Sequence, residues 1–405
     1  MRNTYINTDK AWLGILLLIS PVLSFVYAVR NFKYHSYRKF IVLFGGLYGL
    51  LFIAIPNSEA TRYKTYYSQL GNYGFKEYWY DISNIASPDS MFPDVYVYTM
   101  FFIGKIFSDN PQFFHLITAL VYFFVFVKLI GYIFDFDHNI LKKKYGLFFI
   151  GIIFMFGFSG GINGVRWPLG LIVFLLGATK LLIENRIRYL LLAGLSVLIH
   201  FSFYPAFLAL AAFYFVPFIR KPSLLVGFAL FALVAGTVFS GFIVQNADSF
   251  GDVAQSKLTD YTGEGYVEKR ADNVSSWNSY VSIYRFGNYF FSIVALAILW
   301  LNRKRMVTSE ISNRLFSFAL LFTAISFIAN SIVDLSTNRY ITIVSFITFS
   351  YLIYLGVLNQ SSRTLRTLMI CYSPLILLNV FMTIRVELET ISIALITHPL
   401  SALFL

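Results

Sequence analysis

The chain has 405 residues, of which 58% are hydrophobic and only 13% are charged. Soluble domains carry about twice that charged fraction, so the composition excludes an ordinary water-soluble domain. The net charge of +12 does not indicate nucleic-acid binding, because Lys and Arg gather in short loops between apolar runs, as the positive-inside rule expects.

Apolar runs recur along the whole chain, and a membrane-spanning helix needs about 20 apolar residues. The first run, Trp12–Ala28, has no small-residue cleavage site after it and is predicted to be an uncleaved first span. Further spans are predicted at about 39–56, 111–134, 145–159, 167–183, 189–201, 203–219, 223–245, 280–301, 314–333, 338–358 and 367–383. With the ambiguous segments 93–107 and 386–404, the pattern predicts an all-α polytopic transmembrane helix bundle of about 12 to 14 spans. It predicts a single integral membrane domain over residues 1–405.

The basic loop Arg30–Lys39 is predicted to be cytoplasmic, which puts the following polar segment outside. If residues 93–107 are re-entrant or lie on the membrane surface, every later basic cluster also falls in the cytoplasm. These clusters are Lys142–Lys144, Arg186–Arg188, Arg220–Lys221, Arg303–Arg305 and Arg363–Arg366. We therefore expect that residues 93–107 do not cross the membrane fully.

The outside then carries two long polar loops, 57–92 and 246–279. Long loops usually carry function, so the working surface is expected to face outside. Tyr66 and Tyr67 lie in the Tyr-rich first loop, where aromatic rings suit stacking on sugars; an aromatic belt at the interface explains the same residues. The loop arginines are further candidates for contacts with substrate, and these are Arg62 and Arg270.

Ionisable residues at membrane depth are energetically costly, so each one is a candidate site residue. Arg166, Arg285 and Arg339 all fall toward the predicted outer ends of their spans. Arg166 precedes Pro168, and Arg339 follows good N-cap residues, so each is expected to open a helix, where free N–H groups favour anions. A guanidinium there predicts a phosphate or pyrophosphate site, whereas interfacial snorkelling of long cations is the alternative.

His200 ends an outward-running span in the sequence LIHFSFYP. A neutral imidazole could act as general base on a sugar hydroxyl or only orient it, and the alternative is a histidine hydrogen-bonded within the bundle. The histidines and the single cysteine show no metal-ligand spacing, and no phosphate-binding P-loop motif is present. No metal and no cofactor are expected.

Residues 161–210 read GINGVRWPLGLIVFLLGATKLLIENRIRYLLLAGLSVLIHFSFYPAFLAL. They contain an Asn shortly before an Arg, a small-residue helix, a short basic loop and a helix that ends in Ile-His. Residues 336–349 read STNRYITIVSFITF and carry a second helix-opening Arg. Both stretches resemble the EpsG/Wzy-type bacterial polysaccharide polymerases. Trp167 stands where that family usually has Gln after the first Arg.

The resemblance implies a GT-C-like membrane glycosyltransferase that transfers a growing glycan from undecaprenyl pyrophosphate to the non-reducing end of another lipid-linked repeat unit. In this interpretation Arg166 and Arg339 stabilise the leaving pyrophosphate and His200 orients or deprotonates the acceptor hydroxyl. Asn163, Asn338 and Arg285 are expected to contribute to substrate binding.

The resemblance also implies a multi-pass protein of the bacterial inner membrane with its active site facing the periplasm or exterior. The expected partners are the lipid-linked donor and acceptor, the lipid bilayer, and a chain-length regulator and a flippase of the same pathway. An O-antigen ligase or another lipid-linked glycan transferase remains an alternative, as does a lipid-linked oligosaccharide flippase. A transporter should carry its ionisable groups near the midplane.

Overall fold

The computed structural model describes residues 2–56, 58–85, 87, 90–92, 94–245, 279–306, 309–332, 339–358, 362–392 and 395. The structure is about 84% helical, with no strand among those residues. Six helices are long and apolar enough to cross a membrane by length and composition, in the part of the chain that is described. The prediction of an all-α polytopic helix bundle is confirmed.

The helices follow the predicted apolar runs closely from the second run onward. In chain order they are α1 Arg2–Ile19, α2 Pro21–Arg30, α3 His35–Leu50, α4 Glu59–Gln69, α5 Phe75–Ser83, α6 Val95–Phe107, α7 Pro111–Phe134, α8 Gly146–Met155, α9 Phe158–Asn163, α10 Arg166–Glu184, α11 Arg188–Ile199, α12 Tyr204–Phe215, α13 Pro222–Gln245, α14 Ser279–Leu301, α15 Arg303–Met306, α16 Glu310–Ile332, α17 Tyr340–Leu358 and α18 Arg363–Thr390.

The prediction that the first apolar run forms one continuous span is wrong, because the chain turns between α1 and α2. Ser20 has φ −148° and ψ 88°, and Pro21 begins the next helix. Ser24 Oγ, in α2, donates to the backbone oxygen of Leu13 at 3.2 Å. Eleven residues of straight helix would separate these groups by about 16 Å, so α2 folds back along α1.

Helices α3 and α7 pack antiparallel, and their ends define the two ends of the bundle. At one end, Arg38 donates from Nη2 and Nη1 to the two carboxylate oxygens of Asp135, at 2.6 and 3.3 Å. At the other end, Gly49 lies so close to α7 that a Cβ there would be 2.4 Å from the backbone oxygen of His115. The segment between α3 and α7 therefore starts and finishes at the same end of the bundle. Its helix α6 has 13 residues against 24 in α7, so it is too short to run the bundle's length.

Helices α10, α16 and α17 have the largest buried shares among the candidate spans and form the centre of the bundle. Arg314 of α16 caps the end of α10, because its Nε and Nη2 donate to the backbone oxygens of Leu182 and Ile183 at 2.7 and 3.2 Å. This satisfies carbonyls that the last turn of a helix leaves without partners. The opposite end of α10, which begins with Arg166, is open to other partners.

A partly buried carboxylate joins three helices at the same end as Arg166. Glu387 of α18 accepts hydrogen bonds from Ser159 N at 3.0 Å, from Ser159 Oγ at 3.1 Å and from Tyr48 Oη at 2.8 Å. Ser159 belongs to α9 and Tyr48 to α3. The short helix that leads to Arg166 is thereby tied to the long helices on both sides.

Candidate functional site

The connection from α9 to α10 is a tight turn centred on Val165. Val165 has φ 40° and ψ −62°, and the backbone N–H of Arg166 donates to Gly164 O at 2.5 Å. This three-residue ring is a γ-turn of the strained kind, and positive φ is an outlier for a β-branched residue. Such strain persists only where the surroundings hold it, and it clusters at functional sites. The turn makes Arg166 the first residue of α10.

Arg166 reaches from the start of α10 into a buried polar cluster. Its Nη1 donates to Asp94 Oδ2, and its Nε donates to Tyr63 Oη at 2.8 Å. The guanidinium also lies over the ring of Phe92, 5.3 Å from its centroid. Only 15% of the Arg166 side chain is exposed, so its orientation is set by these contacts rather than by snorkelling toward water.

Asp94 connects Arg166 to the chain segment that bears His200. Its second oxygen, Oδ1, accepts a hydrogen bond from the backbone N–H of Phe201 at 2.8 Å. The Asp94 side chain is fully buried. Asp94 is not among the site residues predicted from the sequence. The sequence did carry a signal for it, because Asp94 lies at the start of an apolar helix, as Arg166 and Arg339 do.

His200 lies between α11 and α12 and faces Arg339 at the start of α17. Nη1 of Arg339 is 3.1 Å from Nε2 of His200. The guanidinium of Arg339 lies over the ring of Trp167, 5.6 Å from its centroid, which favours a cation. The indole N–H of Trp167 is buried and has no hydrogen-bond partner among the described residues.

Among the residues that the structure describes, the cluster has one more cation than anion, because two arginines face one carboxylate and the histidine is held neutral. Burial lowers the pKa of His200, and the nearby Arg339 and Arg166 lower it further. Burial raises the pKa of Asp94, while Arg166 acts in the opposite direction. Among the described residues no carboxylate forms an ion pair with Arg339. An incoming anion would therefore meet an excess positive charge on the Arg339 side of the cluster.

A comparison with known families bears on the class of protein. The family model described as the EpsG family matches residues 50–393. The chain belongs to the EpsG family. The match includes every residue of the cluster around Arg166 and His200. No curated protein matches the chain, and no solved structure does.

Membership in the EpsG family supports a role as a polysaccharide polymerase in general, of the glycosyltransferase type. The apolar helices also indicate a multi-pass membrane protein. In this EpsG-family chain, the three residues predicted to be catalytic lie in one cluster, although they come from three separate parts of the sequence. The described residues contain no group of three or more His, Cys, Asp or Glu side chains with metal-binding geometry.

Two of the residues predicted to bind substrate lie beside this cluster. Asn163, at the end of α9, accepts a hydrogen bond at Oδ1 from the backbone N–H of Ala60 at 3.1 Å and so joins α9 to the start of α4. Tyr66 packs edge-on against Phe92, with ring centroids 5.6 Å apart. Phe92 is the ring that lies under Arg166, so Tyr66 is within the surroundings of the site, and Asn163 precedes Arg166 by three residues.

Of the other predicted substrate residues, Tyr67 is not brought into the cluster. Tyr67 is fully buried in helix packing and donates to the backbone oxygen of Ser108 at 2.6 Å. Arg62 is half exposed and lies 3.8 Å from Glu59, and its guanidinium is 6.0 Å from the ring centroid of Tyr63, the partner of Arg166. Arg285 belongs to α14, but its side chain is outside the described residues. Two further predictions, Asn338 and Arg270, also lie outside the described residues, as do almost all of the predicted loop 246–279 and most of segment 386–404.

Proposed function

We propose that this EpsG-family protein is a membrane glycosyltransferase that lengthens a polysaccharide at the outer face of the bacterial inner membrane. Its donor is a growing glycan on undecaprenyl pyrophosphate, and its acceptor is the non-reducing end of another lipid-linked repeat unit. The observation that carries the proposal is the convergence of Arg166, His200 and Arg339 on one buried cluster with excess positive charge.

The two arginines bind the pyrophosphate of the donor and stabilise the charge that develops on it as it leaves. Guanidinium groups suit phosphate oxygens because they present several N–H donors in a plane. Arg339 is the principal contact, since no carboxylate of the described residues competes for it. The guanidinium of Arg339 packs over the ring of Trp167. The indole N–H of Trp167, which has no partner among the described residues, donates a hydrogen bond to an oxygen of the substrate.

His200 acts on the acceptor sugar as the general base. The acceptor hydroxyl oxygen bonds to the anomeric carbon of the donor, and the bond between that carbon and the pyrophosphate oxygen breaks. The hydroxyl proton passes to His200 Nε2, and the electron pair of the broken bond stays on the pyrophosphate. A neutral imidazole is required for this step, and the lowered pKa of His200 supports it.

The test is a gel of lipid-linked glycans from a strain that lacks this protein. The strain is complemented with the wild type, Arg166→Ala, His200→Ala or Arg339→Ala, and the amount of each protein in the membrane is measured. We expect a ladder of polymer lengths with the wild type and only single repeat units with each variant. Arg186→Ala is the matched control, because Arg186 is exposed on the loop between α10 and α11, and it should give the full ladder.

Two other outcomes would contradict the proposal. A full ladder from all three variants would mean that the cluster is not the site. Loss of even the single repeat units from the outer leaflet in the strain without the protein would point to a transporter instead of a polymerase.

A further inference from the structure

Asp94 occupies the N-cap position of α6 but does not cap that helix. An Asp at this position usually accepts hydrogen bonds from the first backbone N–H groups of its own helix. Here its side chain makes no such bond, and both carboxylate oxygens point to other parts of the chain. The side chain is fully buried, where a carboxylate is stable only when its partners are well placed.

The two oxygens of Asp94 are divided between the two halves of the candidate site. Oδ2 accepts from Nη1 of Arg166, at the start of α10. Oδ1 accepts from the backbone N–H of Phe201, the residue that follows His200. These two chain segments lie 72 and 107 residues along the sequence from Asp94, respectively. One buried carboxylate therefore fixes where the guanidinium and the imidazole lie relative to each other.

We propose that Asp94 is a positioning residue that holds Arg166 and the His200 segment at the separation needed for glycan transfer. This inference rests on the proposed function above. Asp94 acts through its two partners and does not itself touch the reacting atoms.

The substitution Asp94→Asn separates this role from simple space filling. An amide has one acceptor oxygen and one donor NH2 group, so it can serve Arg166 or Phe201 N–H but not both. Asp94→Glu keeps two acceptor oxygens and the charge but adds a methylene group. A positioning role by charge and two acceptors predicts that Glu retains more activity than Asn, whereas a role in packing shape predicts the opposite order.

The experiment measures kcat and KM with purified protein in lipid nanodiscs. Its substrate is the lipid-linked single repeat unit extracted from the strain that lacks the protein, and activity is expressed per folded molecule. For Asp94→Asn we expect kcat to fall on the order of 100-fold, as for a misplaced reacting group, with a smaller change in KM. Asp109→Asn is the matched control, because that side chain is 88% exposed at the far end of α6, and it should keep wild-type constants.

A double-variant measurement tests whether Asp94 acts through Arg166. If it does, the loss in Asp94→Asn/Arg166→Lys is smaller than the product of the two single losses. If Asp94→Asn does not fold, Asp94→Glu with and without Arg166→Lys gives the same comparison. Wild-type kcat per folded molecule in Asp94→Asn, a multiplicative double variant, or an Asn variant more active than the Glu variant would each overturn the inference.

Failure of this inference is distinguishable from failure of the proposed function. If Arg166→Ala and His200→Ala keep a full ladder, the proposed function fails and this inference falls with it. If those variants lose the ladder while Asp94→Asn keeps wild-type constants, only the positioning role of Asp94 is wrong.

Discussion

Arg339 Nη1 lies 3.1 Å from His200 Nε2, across 139 residues of sequence. A guanidinium only donates hydrogen bonds, so an Nε2 that accepts from Arg339 would place the ring proton on Nδ1. The backbone N–H of Ser202, 3.2 Å from Nδ1, needs an acceptor at that atom. A neutral ring cannot accept at both nitrogens, and the charged donor is the stronger partner. An anion that attracts Arg339 would release the Nε2 lone pair for the acceptor hydroxyl.

The first prediction concerns pH. Burial and the two arginines lower the pKa of His200 from its ordinary 6.5, so the imidazole stays neutral as the pH falls past that value. Polymer formation should show no loss due to His200 between about pH 7.5 and 5.5. The measurement is the initial rate of polymer formation against pH.

The exposed histidine His138 provides the control for that profile. His138 has a side chain that is 60% exposed, so His138→Gln should leave the pH profile unchanged. A decrease in the rate of polymer formation below about pH 6.5 that persists in His138→Gln and disappears in His200→Gln would show that the pKa of His200 is ordinary.

The second prediction is that Arg166 and Arg339 differ in their contribution to stability. Arg166→Ala leaves the fully buried Asp94 carboxylate without its cation, which costs about 3–5 kcal/mol for a buried pair. Arg339→Ala loses a contact with the Trp167 ring and a hydrogen bond, which together are worth about 1–2 kcal/mol. Thermal unfolding of the two variants in the same detergent should show a clearly larger decrease for Arg166→Ala.

A second substitution tests the cause of that difference. Adding Asp94→Asn to Arg166→Ala removes the unpaired charge and should restore part of the lost stability. Equal losses for the two arginine variants, or no recovery in the double variant, would contradict the assignment of the Asp94–Arg166 pair.

The third prediction concerns the unpaired indole N–H of Trp167. Trp167→Phe keeps a ring under Arg339 but removes the N–H that has no partner among the described residues. If this group binds a substrate oxygen, kcat/KM should fall about 10-fold, the value of one hydrogen bond. Trp300→Phe is the matched control, since Arg303 lies 3.8 Å from that ring in a similar stacked pair. Equal kcat/KM values for the two variants would remove Trp167 from the list of substrate contacts.

The fourth prediction concerns the carboxylate that ties α9 to its neighbours. Glu387→Gln replaces one acceptor oxygen by a donor and leaves a partner on Ser159 or Tyr48 unsatisfied, which should cost about 1–3 kcal/mol. Glu389→Gln is the control, because its side chain is 55% exposed and its ion pair with Arg385 at 3.7 Å is loose; its effect should stay within about 0.5 kcal/mol. Both free energies come from thermal unfolding, and equal effects would mean that the Glu387 contacts do not stabilise the fold.

The helices could be predicted because each one needs only local information. Apolar length, Pro168 at the start of α10 and the basic loops all lie within one or two turns of the helix they define. The exceptions are α4 and α5, which lie within the segment predicted to be a polar loop, and the first run, where hydropathy is continuous across Ser20 and Pro21 although the backbone turns there. Hydropathy averages over a window and does not detect a turn between two apolar helices.

The sequence by itself determined that this is an all-α membrane bundle and that Arg166, His200 and Arg339 are expected at one face, because alternating spans with basic loops fix the order of ends. Only the tertiary structure decided which residues touch. It joined Asp94 to Arg166 and Phe201, turned Tyr67 into the helix packing, and brought Glu387 to Ser159. These contacts join residues 41 to 228 positions apart, and no local pattern encodes them, because they depend on how helices with similar apolar surfaces pack against one another.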